Sequence, residues 1–175
     1  MTVTPENPIG LDGFEFVEFT SADAAKMTAL IEQLGFTACA THPTKAITRY
    51  KQGRINLLVN MEPHGQAAEF RAVHGASANG MAFRVADAKS AYELALSRGA
   101  KGADASRSAF PNAYVLEGIG GSLLYLIDRY SDAVRRQKFW DSGALDLAED
   151  WARLGLISRR RFCGAASADV RGSVA

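Results

Sequence analysis

Cysteine is scarce in this chain of 175 residues: only Cys39 and Cys163 occur. They lie in segments of different character and form no CxxC pair, so neither a disulfide framework nor a thiolate metal site is expected. Net charge is nearly missing too. Twenty Lys and Arg against nineteen Asp and Glu leave a formal +1, which excludes the broad basic footprint that non-specific nucleic-acid binding needs. Long apolar runs are absent, and the N-terminus MTVTPENPIG has neither a basic n-region nor an apolar h-region, so a soluble, cytoplasmic protein without a membrane partner is expected. No Gly-x-Ser-x-Gly elbow is present and neither cysteine has an evident histidine partner, which leaves nucleophilic catalysis without a candidate.

What is there is a repeat. LDGFEFVEF (Leu11 to Phe19) is rich in aromatic and branched residues and reads as a strand. Ser21 then offers an N-cap for the helix ADAAKMTALIEQLG, in which Met27, Leu30, Ile31 and Leu34 form one apolar face and Gly35 ends the run. FTACATH, AITRYKQG and RINLLVNM follow as three short strands. The order begins again with GMAFRVA as strand, Asp87 as cap, and a helix through Ala88, Ala91, Tyr92 and Ala95 that stops at Gly99. KGADASRSAF is less regular, and AYVLEG and SLLYLID close the unit across a GIGG turn. A Gly-rich stretch can also cradle phosphate, but that requires a helix directly after it, and SLLYLID reads as a strand.

Two βαβββ units, over about residues 11–61 and 79–130, should pair into one curved eight-stranded sheet with helices outside. Such an arrangement resembles the vicinal oxygen chelate architecture, an α+β fold shared by glyoxalases, bleomycin-resistance proteins and dioxygenases, and the resemblance implies a hollow between the half-sheets. The blocks NPIGLDGFEFVEF, IEQLGF, YKQGRINLLVN, GMAFRVADAKSAYELALSRGA and GIGGSLLYLIDRY, from Asn7 to Tyr130, resemble the N-terminal half of bacterial 4-hydroxyphenylpyruvate dioxygenase over roughly seven-tenths of the chain. The resemblance implies an Fe(II) enzyme of tyrosine degradation that converts 4-hydroxyphenylpyruvate and O2 to homogentisate. It also implies that the iron, on a facial triad of two histidines and one glutamate, sits in a second domain.

Metal-using units of this fold carry ligands on the first and last strands. By this resemblance the ligand places fall on Gly13, Gly80 and Tyr125, two of which offer no side-chain ligand; no catalytic, cofactor-binding or metal residue is expected here. His42, His64 and His74 are read on loops, as solvated or locally bonded histidines. Glu15 and Glu18, three apart on one strand, should face opposite ways and form no carboxylate pair. Glu18 is read as a charge on the wet face or strand end, with the hollow as the alternative. Phe14, Phe16, Phe83 and Tyr125 could line a hollow that holds a small aromatic molecule without metal, in the manner of a bleomycin-resistance protein; core packing is the plainer reading. A dioxygenase-like region attached to a 3-dehydroshikimate dehydratase is a further alternative.

The family-like domain is placed at residues 1–131 and a divergent tail at 132–175. The tail has an imperfect apolar stripe through Leu145, Ala148, Ala152 and Leu156 that suits a helix over 143–158, an Arg run at 159–161, and an ending expected to lack fixed structure. It reads as a frame-change terminus, as a helix covering the surface of an absent domain, or as an anion-binding cluster. A truncated or split dioxygenase subunit, inactive alone, is the reading the chain favours, with a homodimer or a separate catalytic domain as partner.

Overall fold

The computed structural model describes residues 3–128; Cys163, the tail helix and the Arg run lie outside them. The elements are β1 (Phe14–Thr20), α1 (Ala24–Gln33), β2 (Thr37–Thr41), β3 (Ile47–Gln52), β4 (Ile55–Asn60), α2 (Gln66–His74), β5 (Ser77–Arg84), α3 (Ala88–Ser97), β6 (Tyr114–Glu117) and β7 (Leu123–Ile127). They build one seven-stranded mixed sheet in the order β2-β3-β4-β1-β5-β7-β6. Each unit begins with a strand that pairs parallel to its own last strand, β1 with β4 and β5 with β7, and the units join where β1 runs antiparallel to β5.

Period-two alternation sorts side chains onto two faces. Val17 and Phe19 join Leu57, Val59 and Tyr50 beneath Met27 and Ile31 of α1. Phe83 and Leu124 join Val85, Leu116 and Leu126 beneath Ala88 and Ala91 of α3. The other face gathers Phe16, Ile47, Leu58, Ala82, Val115, Leu123, Tyr125 and Ile127 into a single inner cluster drawn from both units. On α1, Met27 and Ile31 are buried while Leu30 and Leu34 stay more than half exposed, so the apolar face is narrower than its spacing suggested.

Four expectations are corrected. The sheet has seven strands among the described residues, because the stretch meant for the eighth makes one bridge, Gly102 to Leu116, before turning into a short 3-10 helix at Ala105–Arg107. Ser21 does not cap α1; Asp23 does, its carboxylate accepting from the Lys26 amide, while the Ser21 hydroxyl accepts from the Asp23 amide. A third helix, α2, occupies a region read as loop, and His74 is its last residue. Phe14 is solvent-exposed, since a register shift between Phe14 and Phe16 takes it out of phase with Phe16 and onto the ring of Phe83.

Asp87 does cap α3, accepting from the Ser90 amide at 2.7 Å, and this bond holds its carboxyl below the ordinary aspartate range. A depressed folded-state value means stabilisation that is present above the unfolded value of about 3.9 and is lost as pH falls. Asp87→Ala should therefore lower the melting temperature by several degrees at neutral pH, and the gap from the parent should close as thermal melts are taken into the acid range.

Candidate functional site

Glu18 is the centre of the inner face. It lies on β1 at the seam between units, opposite Gly80 of β5, and is fully buried. Spacing explains why: Glu18 shares the parity of Phe16, so the alternation that puts Phe16 in the core carries the carboxylate in with it. This corrects its reading as a wet-face charge. A buried carboxylate is costly without donors, and two are supplied. Asn60 Nδ2 of β4 donates to one oxygen at 2.7 Å, and the Tyr125 hydroxyl of β7 donates to the other at 2.8 Å.

Tyr125 is itself fully buried, with Phe16 tilted against its ring at 5.5 Å between centroids and Phe110 edge-on at 5.6 Å. Burial, and after it the Glu18 charge, pushes its phenol well above the usual range, against hydrogen bonds from Ser108 and the Ala109 backbone. Phe110 and Ala109 belong to the strap that replaces the eighth strand, and they sit within the inner cluster. Lys45, in the β2–β3 loop of the other unit, donates from Nζ to the carbonyls of Ser108 and Ala109. Arg107 of the strap pairs with Glu69 of α2. Burial pulls the Lys45 ammonium below its ordinary range, offset by the charges of Glu62 and Glu18.

The remaining residues singled out from sequence do not converge here. Gly13 has a positive φ, its carbonyl accepts from the Arg84 amide, and a Cβ there would point at the Arg84 guanidinium. It lies five residues from Glu18, about 17 Å along the strand. Phe83 faces α3. Of the four aromatics named as hollow-lining, only Phe16 and Tyr125 share the inner cluster. Glu15 is buried near Arg84, 3.8 Å from its guanidinium, and is separate from the Glu18 network. His42 accepts two backbone amides, from Thr44 and Lys45, at Nδ1, and His74 meets the Gly120 carbonyl. His64 is exposed before α2. Asn60 and Phe110 were missed; Asn60 has the parity of Leu58 on β4, which could have flagged it.

These residues do not fit a divalent iron. Among the described residues no group of three or more His, Cys, Asp or Glu could hold a metal. The geometry also opposes one at the expected place, since a Cβ on Gly80 would already lie 3.0 Å from both Glu18 Oε2 and the Tyr125 ring. Both carboxylate oxygens are engaged.

Paired units around a filled inner face, with strands of each unit closing in parallel, define an α+β domain of the vicinal oxygen chelate type. The family model for hydroxyphenylpyruvate dioxygenase (HPPD), N-terminal, matches residues 5–142, and the chain belongs to that family. It is 45% identical to hemolysin VllY of Vibrio vulnificus over 82% of its length, and 47% identical to 4-hydroxyphenylpyruvate dioxygenase of Pseudomonas aeruginosa over 74%. It spans 42% and 38% of those two proteins, about two-fifths of the length of the curated relatives it matches. Among solved structures, a xylose isomerase-like TIM barrel/4-hydroxyphenylpyruvate dioxygenase fusion protein aligns with a TM-score of 0.63 at 30% identity, covering 69% of this chain and 20% of that one.

Tyr125→Phe removes one of the two donors to a buried carboxylate and should cost about 1–3 kcal/mol in urea unfolding at neutral pH. A phenol raised in the folded state stabilises the protein fully below its unfolded value of about 10 and loses that contribution as pH rises further. The gap between parent and Tyr125→Phe should accordingly shrink above pH 10, and in ultraviolet titration Tyr125 should ionise only as the fold is lost.

Proposed function

We propose that this segment is a non-catalytic N-terminal half of a 4-hydroxyphenylpyruvate dioxygenase, and that conversion of 4-hydroxyphenylpyruvate to homogentisate requires Fe(II) held by a separate catalytic domain. One observation carries the reading. The place where a ligand set of this fold would converge is taken by Tyr125, Phe16 and the Glu18 network, and a side chain at Gly80 would crowd Glu18 and the Tyr125 ring. The domain then acts through its surfaces, supporting a catalytic domain or a second copy.

The alternative of a metal-free small-molecule carrier is less favoured, because Phe16, Phe110 and Tyr125 pack against one another in the inner core. A dehydratase-attached region is less favoured by similarity: the 3-dehydroshikimate dehydratases of Pseudomonas aeruginosa and Pseudomonas putida are 33% and 30% identical to the chain, against 45–47% for hemolysin VllY and 4-hydroxyphenylpyruvate dioxygenase.

Oxygen uptake by the purified, Fe(II)-loaded chain with 4-hydroxyphenylpyruvate tests the proposal when measured beside iron content per subunit. No substrate-dependent uptake and no retained stoichiometric iron are expected. Retained iron together with uptake would overturn it.

A further inference from the structure

The Tyr125 side chain is bound as a ligand would be. Its ring is enclosed by Phe16 and Phe110, and the flat backbone of Gly80 lies against it so closely that a Cβ there would reach ring atom Cε2 at 3.0 Å. At the end of this slot the single polar group of the ring meets a charged acceptor, Glu18 Oε2, at 2.8 Å. Asn60 fixes that acceptor by engaging its second oxygen. The strap through Ser108, Ala109 and Phe110 closes the slot and is latched from the other unit by Lys45. Aromatic walls, a glycine floor and one buried carboxylate acceptor are the features that select a neutral phenol over a benzene ring of the same shape, since only the phenol leaves the carboxylate satisfied.

We propose that the inner face of this domain is a phenol-binding site whose resident ligand is the chain's own Tyr125, and that removing this side chain yields a site for a free para-alkyl phenol. The proposal is independent of whether the domain supports a dioxygenase, because it rests on the slot alone. Apolar cavities left by truncating a core side chain bind small aromatics; the Glu18 carboxylate adds a preference that shape alone does not give.

The probe is p-cresol, the tyrosine side chain as a free molecule, with toluene as its counterpart lacking the hydroxyl. For Tyr125→Gly, which removes Cβ with the ring, millimolar p-cresol should raise the melting temperature, and its Kd by calorimetry should be at least tenfold below that of toluene. The preference should vanish in Tyr125→Gly combined with Glu18→Leu. The parent and Tyr125→Phe, whose rings still fill the slot, should respond to neither. If Tyr125→Gly does not fold alone, recovery of native circular dichroism on refolding with p-cresol but not toluene is the expected result. Equal effects of the two compounds would reduce the slot to an apolar void and overturn the proposal, as would failure of both to bind the folded variant or to rescue an unfolded one.

Discussion

The hydrogen-bonded carboxylate of Glu18 is the constraint on which the inner face depends. Asn60 reaches it from β4, Tyr125 from β7, and Gly80 lies opposite on β5, so the four central strands β4-β1-β5-β7 all contribute to one satisfied charge. Two of these strands belong to the first unit and two to the second. A buried carboxylate with one donor removed is left partly desolvated and unpaired, a far larger penalty than the net gain of an ordinary hydrogen bond. The network therefore specifies how the two units register against each other, a demand that apolar contacts, being non-directional, meet only loosely.

The strap follows from local chemistry. Between α3 and β6 the chain reads Asp104-Ala-Ser-Arg-Ser-Ala-Phe, and its polar side chains bond their own backbone: Asp104 accepts from the Ser106 amide, Ser108 donates to the Ala105 carbonyl, and the Phe110 amide donates to Ser108. Such bonds compete with a strand ladder. The ladder yields after the Gly102 bridge, and the segment places Ala109 and Phe110 in the inner cluster. Lys45 of the first unit and Glu69 of α2, paired with Arg107, then hold it.

Most of the architecture was legible from period and punctuation. Gly35 and Gly99 stop α1 and α3 with positive φ, Asp87 caps where the residue type and its place before an apolar run said it would, and the first-unit strands fall where β-prone stretches lay between turns. α2 was illegible for a physical reason: its N-cap, Gly65, makes no side-chain bond, and only Ala67 along it is fully buried, so neither a start signal nor an apolar face marks it. The aromatics were legible as strand residues but not by face, because one register shift near Glu15 sets Phe14 out of phase with Phe16. Glu18 could have been assigned by parity with Phe16. Its partners could not, since Asn60 and Tyr125 are 42 and 107 residues away and meet it only through strand order.

A self-filled inner face changes what a substitution there can do. At Gly80 any side chain begins 3.0 Å from Glu18 and from the Tyr125 ring, so a histidine or glutamate there forces those two side chains to shift. Removing Tyr125 first leaves a void and a carboxylate with one donor, each destabilising. Because these groups touch, the two changes do not add. A ligand-bearing site and the present packing are therefore separated by a coupled step, in which Gly80, Tyr125 and Glu18 change together.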